Sequence, residues 1–167
     1  MSQVWIADAS PVISLGKVDQ LGLLTALSPG LLLPPAVAEE IRAGRESDPA
    51  RIWLDAAGAR HISDPIDIDP RVLPWDLGPG ETEAISLALG TRRATVLLDD
   101  RPARNCAKAH GLPVRGTLGV VILAKREGLL TRCGAVFEAL VRAGIRVDGA
   151  TLKQALELAG ERASEGE

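Results

Sequence analysis

The sequence has few aromatic residues and few cysteines. It contains one Phe, three Trp and no Tyr, which argues against a base-stacking surface of the RRM or OB type. Its two cysteines, Cys106 and Cys133, lie far apart and form no CxxC pair, so neither a zinc site nor a disulfide framework is expected. We interpret both as small core residues of a protein in a reducing compartment.

The chain also lacks an excess of positive charge and an unbroken apolar segment of membrane length. Nineteen basic residues face twenty-two acidic ones, which excludes binding of nucleic acid through bulk positive charge but permits a local basic rim. The uncharged run at 21–38 is interrupted by three prolines and a glycine, and the first residues show no signal-peptide pattern. We therefore expect a cytoplasmic protein with no membrane segment.

What the chain does have is enough apolar sequence for one domain with a full core. It has 167 residues, of which 46% are hydrophobic, and single domains commonly have about 100–200 residues. Short apolar segments alternate with segments of helical periodicity, which predicts an α/β layered domain with a parallel sheet. We expect this domain to cover 1–160 and a polar, frayed tail to cover 161–167.

Proline, glycine and capping residues predict where the elements lie. The predicted strands are 4–7, 31–33, 61–63, 95–98 and 113–115. The predicted helices begin near 11, 21, 35, 49, 81, 102, 117, 132 and 149. The expected helix caps are Ser10, Asp48, Thr117, Thr131 and Asp148. The segment 64–80, rich in Pro and Asp, is predicted to be a long surface loop.

Acidic residues follow the predicted strands at the edge where parallel sheets bind ligands. Asp8 comes directly after the first strand, and Asp99 and Asp100 come directly after the strand at 95–98. Two further pairs of acids lie on nearby predicted helices: Glu39 with Glu40, and Glu81 with Glu83. Clustered carboxylates mostly serve divalent metals such as Mg²⁺ or Mn²⁺. Each acid by itself also has a structural interpretation, as a cap or a solvated group, and that alternative stays open.

The other polar residues have both a structural and a functional interpretation. Ser10 and Thr117 occupy cap positions, although a hydroxyl at the sheet edge can also contact a phosphate or a water. His61 and His110 carry no sign of catalysis. Positive charge prevails between 90 and 116, in Arg92, Arg93, Arg101, Arg104, Lys108 and Arg115. Arg101 and Arg104 directly follow the acids, so they can pair with those carboxylates or reach a phosphate.

Five segments together resemble the PIN-domain superfamily. They are DAS at 8–10, VAEEI at 37–41, GPGETEAISLA at 78–88, LLDDRPAR at 97–104 and GTLG at 116–119. Their order and spacing, over about 4–160, are most similar to a branch of short bacterial and archaeal proteins akin to VapC-type toxins. The resemblance implies a three-layer α/β/α fold with a central parallel sheet, and an Mg²⁺- or Mn²⁺-dependent ribonuclease.

The resemblance also implies roles for individual residues. The implied catalytic acids are Asp8, Glu40, Glu83 and Asp100. Glu81 belongs to the GE pair typical of this branch, and Asp99 is the neighbouring candidate for the last acid. The implied metal ligands are therefore Asp8, Glu81, Glu83, Asp99 and Asp100, and the expected substrate contacts are Ser10, Arg101, Arg104 and Thr117. Leu98 stands where the family usually has a hydroxyl residue.

The implied activity is hydrolysis of RNA phosphodiesters by the toxin of a toxin–antitoxin pair. Such proteins form homodimers and pair with a small antitoxin, so both partners are expected here. The alternative is a PIN-like scaffold with a degenerate site that only binds a partner. A haloacid dehalogenase-type phosphatase needs a second Asp where this chain has Ser10, and a receiver domain needs paired acids after the first strand, which the chain lacks.

Overall fold

A parallel sheet forms the centre of the protein, as predicted. The computed structural model describes residues 3–162. In this part of the chain Ala7 pairs with Leu97, and Leu97 with Arg115, so three strands end at one edge of the sheet. The strands, paired in the order given, are β1 (Val4–Ala7), β2 (Ala94–Leu97) and β3 (Val114–Arg115).

The other two predicted strands, at 31–33 and 61–63, are reduced to single bridges. Leu32 bridges Ile6 and Leu33 bridges Ile62, both in parallel. The first of these segments runs directly into Pro34, which has no N–H to donate to a ladder. In the second segment the first residue belongs to a short 3-10 helix, Ala57–His61. The part that remains extended is too short for a strand.

Nine α-helices within residues 3–162 cover the sheet, and their starts lie within two residues of the predicted ones. They are α1 (Ala9–Lys17), α2 (Gly22–Leu27), α3 (Pro35–Arg42), α4 (Pro49–Leu54), α5 (Pro79–Leu89), α6 (Arg101–Ala109), α7 (Thr117–Arg126), α8 (Gly134–Arg142) and α9 (Gly149–Leu158). The alternation of strands and helices that the sequence predicts is therefore present.

The layers follow from the alternation of side chains along the strands. Trp5, Ala7 and Leu97 belong to a core shared with α1, α3, α7 and α8. Ile6 and Val96 belong to a second core, shared with α5 and α6 on the opposite face. Helices therefore cover both faces, and the expected three-layer α/β/α fold is confirmed. The two cysteines are free and buried, one in each core, as predicted.

Two of the predicted helix caps are correct. Asp48 accepts a hydrogen bond from the N–H of Ala50 at 2.9 Å, and Asp148 accepts one from the N–H of Thr151 at 2.7 Å. Each carboxylate thus satisfies one of the free N–H groups at a helix start.

The other three predicted caps are wrong. Ser10 lies in the first turn, because α1 begins at Ala9 with Asp8 in the cap position. Thr117 is the first residue of α7, and its hydroxyl donates to Asp99 rather than accepting from the helix. Thr131 lies too far before α8 to cap it, because that helix begins at Gly134 with Cys133 in the cap position.

The N-terminus of α8 receives its cap from far along the chain. The carboxylate of Glu161 accepts hydrogen bonds from the N–H groups of Cys133 at 2.9 Å and Gly134 at 3.2 Å. The same carboxylate lies 3.7 Å from the Lys125 ammonium. Glu161 is the first residue of the expected polar tail, and 163–167 lie outside the described residues.

The segment at 64–80 is a surface loop over most of its length, as predicted. It contains a 3-10 turn, Leu73–Trp75, and α5 begins within its last residues. Val72 is only 1% exposed, and the N–H of Asp69 donates to the Ser86 hydroxyl at 3.0 Å, so the loop is anchored to the domain. No helix between residues 3 and 162 has the length and apolar character needed to cross a membrane.

Candidate active site

Asp8, Asp99 and Asp100 lie at the ends of two neighbouring parallel strands. Asp8 follows β1, and its N–H donates to the carbonyl of Leu97 at 3.1 Å. Asp99 and Asp100 follow β2 after one intervening residue, and Asp100 is the residue before α6. The carboxyl edge of a parallel sheet is where such folds bind ligands.

Asp8 is the buried member of this group. Its side chain is 5% exposed, and its Oδ1 has no hydrogen-bond partner among the described residues. Burial raises the pKa of Asp8 to about 7, against the effect of the Ala9 N–H, and the nearby carboxylates of Glu81, Glu40 and Asp99 raise it further. Asp8 therefore keeps a proton more readily than an ordinary Asp does, and its charged form has no cationic partner among the described residues.

Gly80 brings a second acid to the same place. A Cβ built on Gly80 would lie 3.1 Å from Asp8 Oδ1 and 3.1 Å from Glu40 Oε2. The two carboxylates thus approach one backbone position from two elements, the end of β1 and the last turn of α3. Glycine leaves this space open, whereas a Cβ here would make the two oxygens shift by a few tenths of an ångström.

Glu81 extends the group towards Asp100. It is half-buried, and burial together with the charges of Asp100 and Glu40 raises its pKa, whereas a backbone N–H at Gly78 opposes the rise. Repulsion of this kind indicates carboxylates that lie near one another. The structure therefore brings together Asp8, Glu40, Glu81 and Asp100, which we call the acidic group.

Glu83 lies elsewhere on α5. Its Oε2 accepts a hydrogen bond from the N–H of Ala36 at 2.8 Å, so it caps the start of α3 from outside that helix. Residues two apart on a helix point in directions about 200° apart, which is why Glu81 and Glu83 serve different neighbours. The role of Glu83 as a metal ligand stays a prediction, and its observed contact is with a backbone N–H.

Asp99 is held by α7. Its two oxygens accept from the N–H of Thr117 at 2.8 Å and from the Thr117 hydroxyl at 2.6 Å, and the Ser10 hydroxyl lies 3.4 Å from the second oxygen. Thr117 is fully buried, so its hydroxyl orients Asp99 in this structure rather than facing a substrate. Ser10 is exposed beside this contact.

The two arginines that follow the acids differ in their surroundings. Arg104 donates through Nη1 to the carbonyl of Leu98 at 2.8 Å and is half-buried. Arg101 is exposed and lines the space next to Asp99 and Asp100. Arg101 is therefore the better placed of the two to meet a phosphate.

The donor set fits a hard divalent cation. An unpartnered carboxylate oxygen, a glycine that leaves room beside it and oxygen-only side chains are the surroundings that Mg²⁺ and Mn²⁺ prefer. Among residues 3–162, no three His, Cys, Asp or Glu side chains are near enough to one another to form a complete metal site. Mg²⁺ usually keeps several waters and uses one or two carboxylates, so a partial protein shell suits it.

Comparison with known proteins agrees with the geometry. A family model described as a PIN domain (DUF3368) matches residues 4–161, nearly the whole chain. The chain belongs to this PIN-domain family, whose fold is of the nuclease type. No curated protein and no solved structure gives a significant match.

Several functional contacts are absent from the sequence-based expectations. The Gly80 contact and the remote cap formed by Glu83 were not expected, nor was the bond between Thr117 and Asp99. One signal for α5 is present in the sequence: Glu81 precedes the buried Ala84 and Ile85 by three and four residues, so it shares their inward face.

Proposed function

We propose that this PIN domain is an Mg²⁺- or Mn²⁺-dependent endoribonuclease that hydrolyses RNA phosphodiester bonds. The observation that carries the proposal is the unpartnered Oδ1 of buried Asp8, which faces Gly80 together with Glu40 at the carboxyl edge of the sheet. A buried carboxylate without a partner is costly unless a cation or a proton satisfies it. A divalent cation both satisfies it and supports phosphodiester chemistry.

The acidic group supplies the residues for this ion. Asp8, Glu40, Glu81 and Asp100 would hold it, one or two of them directly and the others through water, with Asp99 beside them. When bound, such an ion lowers the pKa of a water molecule and offsets negative charge on the phosphate. Before it binds, the carboxylates repel one another, which favours uptake of a cation.

Other residues of the chain position these acids. Thr117 and Ser10 orient Asp99 through hydroxyl groups. Glu83 fixes the first turn of α3, the helix whose last turn carries Glu40. Supporting contacts of this kind commonly affect metal affinity or activity by about 10–100-fold.

The biological role that we propose is the toxin of a toxin–antitoxin pair, a cytoplasmic homodimer that a small antitoxin binds. The likeness of the five motif segments to the VapC-like branch supports this role. The test is a neighbouring reading frame for a small protein whose product co-purifies with this chain. A chain that is monomeric and binds no such product would contradict the proposed role.

A scaffold that binds a partner without cleaving RNA is the second candidate. Two observations favour it: the acids within residues 3–162 do not form a complete metal site, and Leu98 stands in the place of the usual hydroxyl. Cleavage distinguishes the two candidates, because a scaffold has no metal-dependent hydrolysis.

The decisive experiment is cleavage of single-stranded RNA with Mn²⁺ and with EDTA. We expect cleavage only with the metal, and a loss on the order of 10²-fold or more in Asp8→Asn. The matched control is Asp19→Asn, an exposed position with φ 57°, which Asn tolerates well. Activity that survives EDTA, or that Asp8→Asn leaves unchanged, would overturn the metal mechanism.

A further inference from the structure

Two cavities meet beside Asp99. The smaller, about 430 Å³, lies between α1 and the end of α8, and it includes Ser10 and Lys17. The larger, about 660 Å³, lies between α6, the start of α7, and α9. Both are lined by Asp99, Arg101, Ile145 and Arg146, so the two cavities adjoin each other beside the carboxyl edge of the sheet. We refer to the two cavities together as the channel.

The channel concentrates positive charge on a protein whose net charge is −3. Three carboxylates line it, and two of them, Asp99 and Asp148, already accept hydrogen bonds from threonines. The cations that line it are Lys17, Arg101, Arg104, Lys108, Arg115 and Arg146. An anionic ligand is therefore attracted to this surface although the whole chain repels it.

Arg101 and Arg146 are the basic residues common to both cavities. Both are exposed, and neither forms an ion pair with any residue of 3–162. Arg101 comes from the start of α6, next to the acids, whereas Arg146 comes from the connection between α8 and α9. Two unpaired guanidinium groups thus flank the point where the cavities join.

The larger cavity also has an apolar wall. Leu118 and Ile122 of α7 and Ala155 of α9 line it, as do the basic side chains of α6. A surface with cations on one side and apolar groups on the other suits a nucleotide, whose phosphate is charged and whose base is flat and weakly polar. A nucleotide carries both groups within one repeating unit, so each unit of a strand can contact the cations and the apolar wall together.

We propose that Arg146, together with Arg101, binds a backbone phosphate next to the bond held at the acidic group, and that the larger cavity receives the attached nucleoside. Arg146 is then a positioning residue for a single nucleic-acid strand. This inference rests on the proposed ribonuclease function for its biological meaning. The binding itself depends only on the channel.

The test measures binding separately from cleavage. The full chain in EDTA is titrated with a labelled single-stranded oligoribonucleotide at several salt concentrations. We expect Arg146→Gln to weaken binding about 3–10-fold and to reduce the slope of log K against log salt by about 0.7, the value for one phosphate contact on a single strand. Arg146→Lys keeps the charge and is expected to retain much of the salt slope.

The matched control is Arg142→Gln, which removes the same charge from the exposed end of α8, outside the channel. It should bind like the wild type. The proposal is overturned if Arg146→Gln binds no worse than this control. It is also overturned if polyglutamate of equal charge competes as well as the oligonucleotide, because the channel would then recognise acidic protein segments.

The same measurements separate this inference from the proposed function. A wild type that binds RNA through Arg146 but does not cleave it with Mn²⁺ contradicts the ribonuclease and supports the channel. If the wild type cleaves RNA and Arg146→Gln leaves binding unchanged, the ribonuclease function is supported and the proposed role of Arg146 is contradicted.

Discussion

Asp99 accepts two hydrogen bonds from Thr117, one from the backbone N–H at 2.8 Å and one from the hydroxyl at 2.6 Å. The contact joins the end of β2 to the first turn of α7, so a negative charge lies at the positive end of a helix. Asp100, the next residue, makes no such capping bond and is exposed. Asp99 therefore stabilises the start of α7, whereas Asp100 makes no comparable contact.

Asn at these two positions should have different consequences. Asp99→Asn weakens the bonds to Thr117, and we expect it to lower the free energy of unfolding by about 1–2 kcal/mol. Asp100→Asn should change that free energy by no more than about 0.5 kcal/mol but should reduce Mn²⁺-dependent cleavage more than Asp99→Asn does. Urea unfolding in EDTA and cleavage rates per folded molecule are the measurements. The reverse order in cleavage would make Asp99 the ligand.

Substitution of Glu81 should affect metal binding, whereas substitution of Glu83 should affect stability. Glu83→Ala leaves the N–H of Ala36 without its acceptor, and loss of a helix cap costs about 1 kcal/mol. Its melting temperature should still rise when Mn²⁺ is added. Glu81→Gln should keep the stability of the metal-free protein and lose most of the rise with Mn²⁺, which follows RT ln(1 + [L]/Kd). If Glu83→Ala loses the Mn²⁺ response and Glu81→Gln keeps it, Glu83 is the ligand.

Gly80→Ala tests the space between the carboxylates. The added Cβ would lie 3.1 Å from oxygens of Asp8 and Glu40 and 3.3 Å from a methyl group of Val37. Alanine is favoured over glycine within a helix by about 0.5–1 kcal/mol, which offsets part of the crowding. We expect near-normal stability and a Mn²⁺ affinity about 10-fold lower, measured by titration calorimetry.

Gly22→Ala is the control for that change. Gly22 opens α2, and a Cβ there meets no atom within 4 Å. Its Mn²⁺ affinity should equal that of the wild type. An unchanged affinity in Gly80→Ala would mean that the ion does not bind between these two acids.

The metal-free protein should lose stability as the pH rises from about 4 to about 7. Burial raises the folded-state pKa of Asp8 to about 7 from 3.8, so over this range the folded state keeps a proton that the unfolded chain releases. The folded state is therefore progressively disfavoured, by an amount on the order of 2–4 kcal/mol above pH 7. Urea unfolding in EDTA at several pH values measures the effect.

Asp8→Asn removes the titrating group and should flatten this pH dependence. At pH 8 in EDTA we expect the variant to be more stable than the wild type, by about 1 kcal/mol or more. Added Mn²⁺ should stabilise it less than it stabilises the wild type. A wild type whose melting temperature ignores millimolar Mn²⁺ would favour the scaffold function.

The sequence predicts most of the fold because its signals are local. The prolines at 35, 49 and 79 lie at the first positions of α3, α4 and α5, and Asp48 and Asp148 cap their helices as predicted. The nearness of Asp8 to Asp99 was predictable as well, since parallel strands share a carboxyl edge.

The parts of the site that the sequence does not predict depend on contacts between distant residues. Thr117 and Asp99 lie on either side of β3, and Ala36 meets Glu83 only because α3 packs against α5. Whether Glu81 or Glu83 faces the acids depends on the rotation of α5, which the packing of Ala84 and Ile85 sets. Arg146 lies in the connection between α8 and α9, and only the tertiary fold places it beside the same cavity as Arg101. No local sequence pattern indicates this.

Glu161 joins the end of α9 to the start of α8, a contact between segments that are synthesised at different times. The N–H groups at the start of α8 receive its carboxylate only after the ribosome has added 28 residues beyond Cys133. Synthesis adds about 5–20 residues per second from the N-terminus. Until Glu161 emerges, α9 lacks its C-terminal anchor, and α9 forms one wall of the channel. A nascent chain therefore carries the acids of the site well before it carries the wall that guides a strand to them.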